Sequence, residues 1–268
     1  MIEPEIKKRV GRLLAEVERE ENVRIFYACE SGSRAWGFPS RDSDYDVRFL
    51  YIHPVDWYLS IDKKRDVIER PLDDQIDLSG WEIRKALSLY RKSNPPLLEW
   101  LRSPMIYKEA FSTAQKLREL LPKFYSPVSC LYHYLHMAQG NFRDYLKHDQ
   151  VWVKKYFYVL RPVLACKWIE AGLGPVPMEF DVLVNRIVDS EELKKTIDKL
   201  LEKKKKGDEL SRGAKIPVLN EFLRQEIERL QTKKFEKNLL KPDIEKLNAL
   251  FRSSLTEIWR QSGKGEVI

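Results

Sequence analysis

A short Gly-Ser turn lies between two segments with strand character, and the second segment begins with two aspartates. The turn is Gly32-Ser33, and the aspartates are Asp44 and Asp46. Residues i and i+2 of a strand point to the same face of a sheet, about 7 Å apart. If residues 44–52 form a strand, both carboxylates face one point close to the turn. Paired carboxylates beside a phosphate-sized turn are typical of a two-metal phosphoryl-transfer centre.

A third aspartate, Asp77, lies in the apolar context Gln-Ile-Asp-Leu of residues 75–78. A buried charge costs free energy unless it is paired or bound to a metal ion. Three carboxylates that converge on one point repel each other, and divalent cations relieve that repulsion. We therefore predict that Asp44, Asp46 and Asp77 are both metal ligands and catalytic residues.

The Gly-Ser turn is predicted to bind phosphate. Gly32 lets the backbone approach an anion closely, and the helical turn that follows offers free N–H groups. The Ser33 hydroxyl adds one more donor. A Gly-Ser pair alone is common in loops, but its place between an apolar strand and an Asp-x-Asp strand makes the signal specific.

The order of elements predicts an α+β fold, with a small mixed β-sheet followed by a helical C-terminal region. Residues 5–20 have helical periodicity, and four segments after it have strand character. From residue 82 onward the pattern is almost wholly helical, with expected helices at 108–121, 127–147, 151–171, 179–187, 190–204, 217–232 and 241–260. We place the boundary between an α/β catalytic domain, residues 1–105, and a helical domain, residues 106–268, near residue 105.

Charge is distributed unevenly between these parts. Residues 1–110 carry 19 Lys and Arg against 20 Asp and Glu, and the remainder carries 29 against 21. A basic excess in the helical part favours a polyanionic partner, although Lys-rich helices can also be merely solvated. The chain has no apolar run of membrane-spanning length and no signal-peptide pattern, and its three cysteines are scattered. We therefore expect a cytoplasmic protein with no membrane partner.

Longer motifs around the turn and the aspartates resemble a known superfamily. They are Glu-Ser-Gly-Ser-Arg-Ala-Trp-Gly at 30–37 and Asp-Ser-Asp-Tyr-Asp-Val-Arg at 42–48, with further similar stretches at 77–85 and 92–101. Together they resemble the nucleotidyltransferase core of the DNA-polymerase-beta superfamily. The most similar branch is that of predicted bacterial and phage nucleotidyltransferases related to the RNA-ligase-associated polymerase-beta-like family, suspected in RNA repair. The resemblance covers about residues 20–170 and fades after about residue 175.

The resemblance implies a mechanism. Asp44 and Asp46 would hold two Mg²⁺ ions, with Mn²⁺ as an alternative. One ion and the Gly-Ser turn would grip the triphosphate of an NTP. The other, shared with Asp77, would lower the pKa of an acceptor hydroxyl, which attacks the α-phosphorus in line as pyrophosphate leaves. Asp77 can also accept the proton.

Three arginines near the aspartates are secondary candidates. Arg34 follows the Gly-Ser turn, and Arg41, in the loop before the aspartates, can meet phosphates. Arg48 has the same strand parity as Asp44 and Asp46, so it either contacts the nucleotide or forms an intramolecular salt bridge.

The predicted helix at 151–171 carries two stripes. One is apolar and indicates core packing. Beside it Lys154, Tyr158 and Arg161 recur at i, i+4 and i+7. This basic and aromatic stripe suits a triphosphate and a stacked base, and by analogy with the superfamily it can form a nucleotide clamp. The alternative is a solvated flank of the helix. The lysine run 203–206 is either a solvated helix end or a contact for RNA phosphates.

These observations favour an enzyme that transfers NMP from an NTP to an RNA 3′ end, of a tRNA or of a cleaved RNA. Two other functions stay open. NMP transfer to a protein or small-molecule hydroxyl fits the same site. A non-catalytic RNA-binding or toxin-partner protein fits the same fold, although three retained carboxylates argue against it. The preferred NTP and the oligomeric state do not follow from the sequence.

Overall fold

A computed structural model describes residues 2–40, 42–73, 75–206, 212–236 and 243–262 of the chain. The strands in these residues are β1 (Arg24–Ser31), β2 (Tyr45–Ile52), β3 (Val67–Asp73), β4 (Ile76–Glu82), β5 (Ile106–Glu109), β6 (Gln150–Trp152) and β7 (Arg212–Ala214). The helices are α1 (Pro4–Glu20), α2 (Gly32–Ala35), α3 (Val55–Tyr58), α4 (Ile83–Arg91), α5 (Pro95–Trp100), α6 (Thr113–Phe124), α7 (Pro127–Tyr145), α8 (Tyr156–Glu170), α9 (Phe180–Ile187), α10 (Glu191–Lys206), α11 (Pro217–Thr232) and α12 (Ile244–Ser262).

The main sheet has five strands in the order β3-β4-β2-β1-β5. Strand β2 is antiparallel to β1 and parallel to β4, so the sheet is mixed as predicted. Because β2 and β4 run in the same direction, their first residues lie at the same edge of the sheet. This pairing brings together two aspartates that are far apart in the sequence.

Alternation along β2 gives each face of the sheet its own core. The side chains of Val47 and Phe49 pack on the face that α1 covers with Val10 and Leu14. The opposite face packs against the helical part of the chain. The apolar face of α1 therefore packs on one face of β2, as the helical periodicity of α1 and the alternation along β2 predict.

A larger apolar cluster extends from Phe26 on β1 to Ile258 on α12. It includes residues on both sides of position 105, and β5, which follows that position, completes the main sheet. The fold class is confirmed: a small mixed sheet is followed by a predominantly helical region. The division into domains of residues 1–105 and 106–268 stays a prediction.

Two short strands overlap the first residues of the helices predicted at 108–121 and 151–171. Residues 106–109 form β5, where Glu109 and Lys108 pair with Tyr27 and Ala28 of β1. Residues 150–152 form β6, which pairs with β7 in a separate two-stranded sheet. Both are short, and their backbone hydrogen bonds come from partners distant in sequence, which local periodicity does not report. None of the described helices is both long enough and apolar enough to cross a membrane.

Candidate active site at the start of β2 and β4

Asp46 and Asp77 meet at the edge of the main sheet. They are paired residues of the parallel strands β2 and β4. A single nitrogen, Nη2 of Arg48, lies 3.0 Å from Asp46 Oδ1 and 2.7 Å from Asp77 Oδ2. The Nη1 group of Arg48 donates to the carbonyl oxygen of Asp77 at 3.1 Å. Of the two interpretations of Arg48, the structure has the intramolecular salt bridge.

Asp44 lies immediately before β2 and is exposed. Its backbone carbonyl accepts a hydrogen bond from Arg34 Nε at 3.2 Å, and the Ser43 carbonyl accepts one from Arg34 Nη2 at 2.7 Å. The guanidinium carbon of Arg34 lies 3.7 Å from the centroid of the Tyr45 ring. Arg34 therefore fixes the backbone that leads into β2. Arg41, the other predicted phosphate contact, lies outside the described residues.

Gly32 is required by the carboxylate beside it. Its φ of +63° is in the left-handed region, and a Cβ at this position would overlap the carboxylate of Asp46. Any other residue would displace that carboxylate. Gly32 begins the four-residue helix α2, in which Ser33 is half-buried. The predicted proximity of the Gly-Ser turn to the carboxylates is therefore present.

Glu30 supports the start of β2 from the neighbouring strand. Its carboxylate accepts hydrogen bonds from the backbone N–H of Asp46 at 2.9 Å and from the Tyr107 hydroxyl at 2.5 Å. Burial raises the pKa of Glu30 to about 7, against the effect of these two donors. Burial also raises the pKa of Asp46. Arg48 opposes that increase, and the negative charges of Asp77 and Asp44 add to it.

Lys204 on α10 faces this region, and the sequence interpretation did not single it out from the lysine run. It is 5% exposed, whereas the other three lysines of the run are exposed. Its Nζ lies 4.5 Å from the Phe38 ring centroid and 5.4 Å from that of Phe157. Among the described residues it has no carboxylate partner. Burial and then Lys154 lower the pKa of Lys204 to about 8, and Asp46 acts in the opposite direction.

A sequence signal for Lys204 does exist. The buried residues of α10 are Leu193, Ile197, Leu200 and Lys204, which follow one another at intervals of four, three and four. Lys204 therefore occupies the next position of the apolar stripe, unlike the lysines beside it. A charged residue on the buried stripe of a helix is a candidate for function.

Tyr158 also approaches the carboxylates, and Lys154 lies near Lys204. Lys154 lies in a 3-10 turn over Val153–Lys155 and is exposed. The ring of Tyr158 is edge-on to the ring of Trp36, with centroids 5.9 Å apart. Burial, followed by the charges of Asp46 and Asp44, raises the pKa of Tyr158.

Arg161 is buried, so it does not share an exposed surface with Lys154 and Tyr158, which corrects the predicted stripe. It is 3% exposed, and its Nη1 lies 2.7 Å from Glu99 Oε1. Its Nη2 donates to the carbonyl oxygen of Pro177 at 3.2 Å. The guanidinium lies over the Trp36 ring, 4.9 Å from its centroid. The carboxylate partner is 62 residues away in the sequence, so helical spacing alone did not reveal this buried pair.

The metal ligands predicted from the sequence do not form a complete metal site here. Among the described residues, no three His, Cys, Asp or Glu side chains stand in an arrangement that could hold a metal ion. Two carboxylate oxygens nevertheless contact one nitrogen of Arg48, so both already bind the same cationic group. Carboxylate oxygens are the ligands that Mg²⁺ prefers. The donor set therefore fits a divalent cation that competes with Arg48.

Comparison with known proteins identifies the family. Residues 6–253 match the RNA repair pathway DNA polymerase beta family. The chain belongs to this family. The family indicates a polymerase-beta-like nucleotidyltransferase, as the motifs around Gly32 and Asp46 predict.

Two individual proteins extend the comparison. The chain is 49% identical over 259 residues to the uncharacterized protein YcgL of Bacillus subtilis strain 168. The alignment covers 96% of this chain and 100% of that protein. A crystal structure of a nucleotidyltransferase-like protein from Exiguobacterium sibiricum aligns with 98% of this chain and 97% of that one. Its TM-score is 0.31 and its identity 12%, so no residue role is transferred from it.

Proposed function

We propose that this member of the family transfers NMP from an NTP to the 3′ hydroxyl of an RNA. The observation that supports it most is the meeting of Asp46 and Asp77 beside Gly32, at an edge of the sheet where both carboxylates stay partly exposed. Their side chains are 32% and 42% exposed. The fold does not close these carboxylates off, so they remain open to a ligand.

Asp44, Asp46 and Asp77 are the residues that would hold Mg²⁺, with Mn²⁺ as an alternative. Bound there, the metal would neutralise the triphosphate and lower the pKa of the acceptor hydroxyl. Arg48 then has a defined part. It neutralises Asp46 and Asp77 without metal, and it keeps their oxygens converged on one point until a cation replaces its contact.

The nucleotide would lie between the Gly-Ser turn and the helical part of the chain. Gly32 and Ser33 offer backbone N–H groups and a hydroxyl to the phosphates. Lys204 and Lys154 offer positive charge from the other side, and neither has a carboxylate partner among the described residues. The ring of Tyr158 offers a stacking surface near the carboxylates. The triphosphate would thus meet cations that no acid of the fold already neutralises.

The reaction is an in-line displacement. The acceptor oxygen forms a bond to the α-phosphorus, the bond from that phosphorus to the bridging oxygen of the β-phosphate breaks, and pyrophosphate leaves. Asp77 would accept the hydroxyl proton. No covalent enzyme intermediate is needed, so rate enhancement would come from positioning and charge neutralisation.

RNA is the acceptor that the remaining observations favour. The chain after residue 110 has more basic than acidic residues, and the family is described by its RNA repair pathway. Cys29, Cys130 and Cys166 are free and buried, which suits a reducing compartment such as the cytoplasm.

Label transfer tests this proposal. The protein is incubated with Mg²⁺, total RNA and each NTP, labelled either at the α- or at the γ-phosphate. We expect α-label on RNA, no γ-label on RNA, and loss of transfer in Asp46→Asn. Asp56→Asn is the matched control, because Asp56 is exposed on α3 beyond the other end of β2.

Other outcomes point elsewhere. Label on a polypeptide or a small molecule would indicate that second class of acceptor. No transfer with any NTP, while RNA is still retained on a filter, would indicate a non-catalytic RNA-binding protein.

A further inference from the structure

Three aromatic rings and two cations lie on the segments around the start of α8. We call Tyr158, Lys155, Tyr145, Trp152 and Arg212 the aromatic strip. Nζ of Lys155 lies 4.4 Å from the ring centroid of Tyr158 and 4.7 Å from that of Tyr145. One lysine is therefore held between two tyrosine rings, which keeps its charge at the surface in a fixed place.

The strip begins at the candidate active site. Its first ring, Tyr158, is 37% exposed and contacts Trp36, which follows helix α2. A Cβ on Gly32, the first residue of that helix, would overlap the carboxylate of Asp46. A chain bound along the strip therefore has one end next to the carboxylates.

A second aromatic and basic pair lies just before the turn that carries Lys155. Trp152 is 43% exposed, and the guanidinium carbon of Arg212 lies 5.1 Å from its ring centroid. The two residues are paired across β6 and β7. The small two-stranded sheet, which the sequence did not predict, thus presents an exposed ring with a cation over it.

The cations of this surface carry no ion pairs with the described residues, in contrast to those of α11. Neither Lys155 nor Arg212 has a carboxylate within salt-bridge distance there. On α11, by comparison, Arg224 binds Glu221 and Glu228. Arg224 is therefore neutralised by acids of its own helix, whereas Lys155 and Arg212 have no acid partner among the described residues.

We propose that the aromatic strip binds a single-stranded segment of RNA next to the acceptor hydroxyl. This inference rests on the proposed function for the identity of the acceptor. Bases of a single strand stack on aromatic rings, and phosphates contact cations, whatever the sequence. A duplex keeps its bases stacked inside and would gain only the phosphate contacts. The strip therefore selects single-stranded ends without reading bases.

Fluorescence anisotropy tests the strip independently of catalysis. A labelled RNA of roughly 12 nucleotides without self-complementarity is titrated with protein in EDTA, without NTP. We expect Lys155→Ala and Trp152→Ala each to weaken binding by about tenfold. The salt dependence, as the slope of log K against log salt, should fall by about 1 for Lys155→Ala and stay unchanged for Trp152→Ala.

Lys64→Ala is the matched control. Lys64 also lies over a tryptophan ring, 5.5 Å from the centroid of Trp57, and it is exposed. It follows the other end of β2, away from Asp46. We expect this variant to bind RNA as the wild type does, and Lys155→Arg to restore most of the affinity lost in Lys155→Ala. Thermal unfolding of each variant checks that the fold is intact.

Three results would overturn the inference. They are equal affinities of the Lys155→Ala and Lys64→Ala variants, equal binding of a duplex and a single strand, and displacement of the RNA by an acidic polypeptide at equal charge. The readout also separates the two proposals. If strip variants lose RNA binding while no NTP yields transfer, the strip stands and the proposed function fails. If the wild type labels RNA and the strip variants bind RNA as the wild type does, the proposed function stands and the strip fails.

Discussion

Carboxylates lie at both ends of strand β2, but they are partly exposed at one end and buried at the other. At its start, Asp46 and Asp77 share one arginine and remain partly exposed. At its end, Glu82 of the paired strand β4 is 1% exposed. Its carboxylate accepts hydrogen bonds from the Tyr58 hydroxyl at 2.6 Å and from the backbone N–H groups of Arg84 and Lys85 at 2.8 and 3.3 Å.

Burial raises the pKa of a carboxylate at both ends, Asp46 at the start and Glu82 at the other. We call the start of β2 the open end, because its carboxylates can still bind a ligand, and the other end the closed end. Three donors occupy Glu82, and two of them are backbone N–H groups at the N-terminus of helix α4. Asp46 instead faces the cation Lys204, which has no acid of its own among the described residues. A raised pKa alone does not mark an active site. What distinguishes the start of β2 is an open carboxylate pair facing unneutralised positive charge.

The largest expected effect is a loss of activity from a substitution at the start of β2. Asp46→Asn should lower the rate of nucleotidyl transfer by about 10³-fold, because it removes a charged ligand from the proposed metal centre. The free energy of unfolding should not fall, since the change also removes a carboxylate that burial and two neighbouring acids destabilise. The initial rate of α-label transfer and urea denaturation measure the two quantities. A variant that unfolds readily but transfers normally would reverse the assignment of this end.

The next prediction concerns stability at the other end. Glu82→Ala should lower the free energy of unfolding by about 3 kcal/mol, because it removes the N-cap of α4 and leaves the buried Tyr58 hydroxyl without its acceptor. The rate of transfer per folded molecule should be unchanged. Urea denaturation followed by circular dichroism measures the loss. A loss below about 0.5 kcal/mol would mean that the closed end does not depend on this carboxylate.

A pH effect should also belong to the closed end. His53 is stacked on Trp57, with ring centroids 4.1 Å apart. Burial, then the charges of Lys64 and Arg84, lowers the pKa of His53 from 6.5 to about 4. The unfolded chain therefore binds a proton first as pH falls, so stability is lost between pH 6.5 and 4, by about 2 kcal/mol at pH 5.

His53→Phe is the variant that isolates this effect. It keeps an aromatic ring on Trp57 but has no proton to bind, so the loss of stability over that pH range should shrink by about 2 kcal/mol. Thermal or urea unfolding at pH 7 and pH 5 measures it. An unchanged pH dependence would show that other groups cause it.

The smallest effect refines the open end. Lys204→Met should raise the KM for the nucleotide by about tenfold, since one cation opposite the triphosphate is lost, and it should leave the fold stable because Met fits an apolar stripe. Lys206→Met is the control, because Lys206 is exposed on the same helix end. Equal KM values for both variants would remove Lys204 from the nucleotide site.

Much of the open end was accessible from the sequence because its signals are local or motif-based. Asp44 and Asp46 have strand spacing, and the Gly-Ser turn precedes them. The approach of Asp77 depended on the family resemblance and on its apolar context, and the parallel pairing of β2 with β4 confirms that Asp46 and Asp77 meet. Strand parity alone left two interpretations of Arg48, a contact with the nucleotide and an intramolecular salt bridge.

The features that were missed depend on contacts between distant segments. Arg161 has helical spacing with Lys154 and Tyr158, but Glu99, from another helix, binds it in the core. Lys204 is one of four consecutive lysines, and only the position of the apolar stripe of α10 distinguishes it. Strands β5 and β6 are too short for a period-2 pattern to stand out.

The central claim is that the carboxylates at the start of β2 and β4 bind divalent metal when a nucleotide is present. Anomalous diffraction from crystals grown with Mn²⁺ and a non-hydrolysable NTP tests it directly. We predict a Mn²⁺ peak about 2.2 Å from carboxylate oxygens of both Asp46 and Asp77, with the Arg48 guanidinium displaced from at least one of them. Bound nucleotide with no peak at these carboxylates, and Arg48 still between them, would contradict the claim.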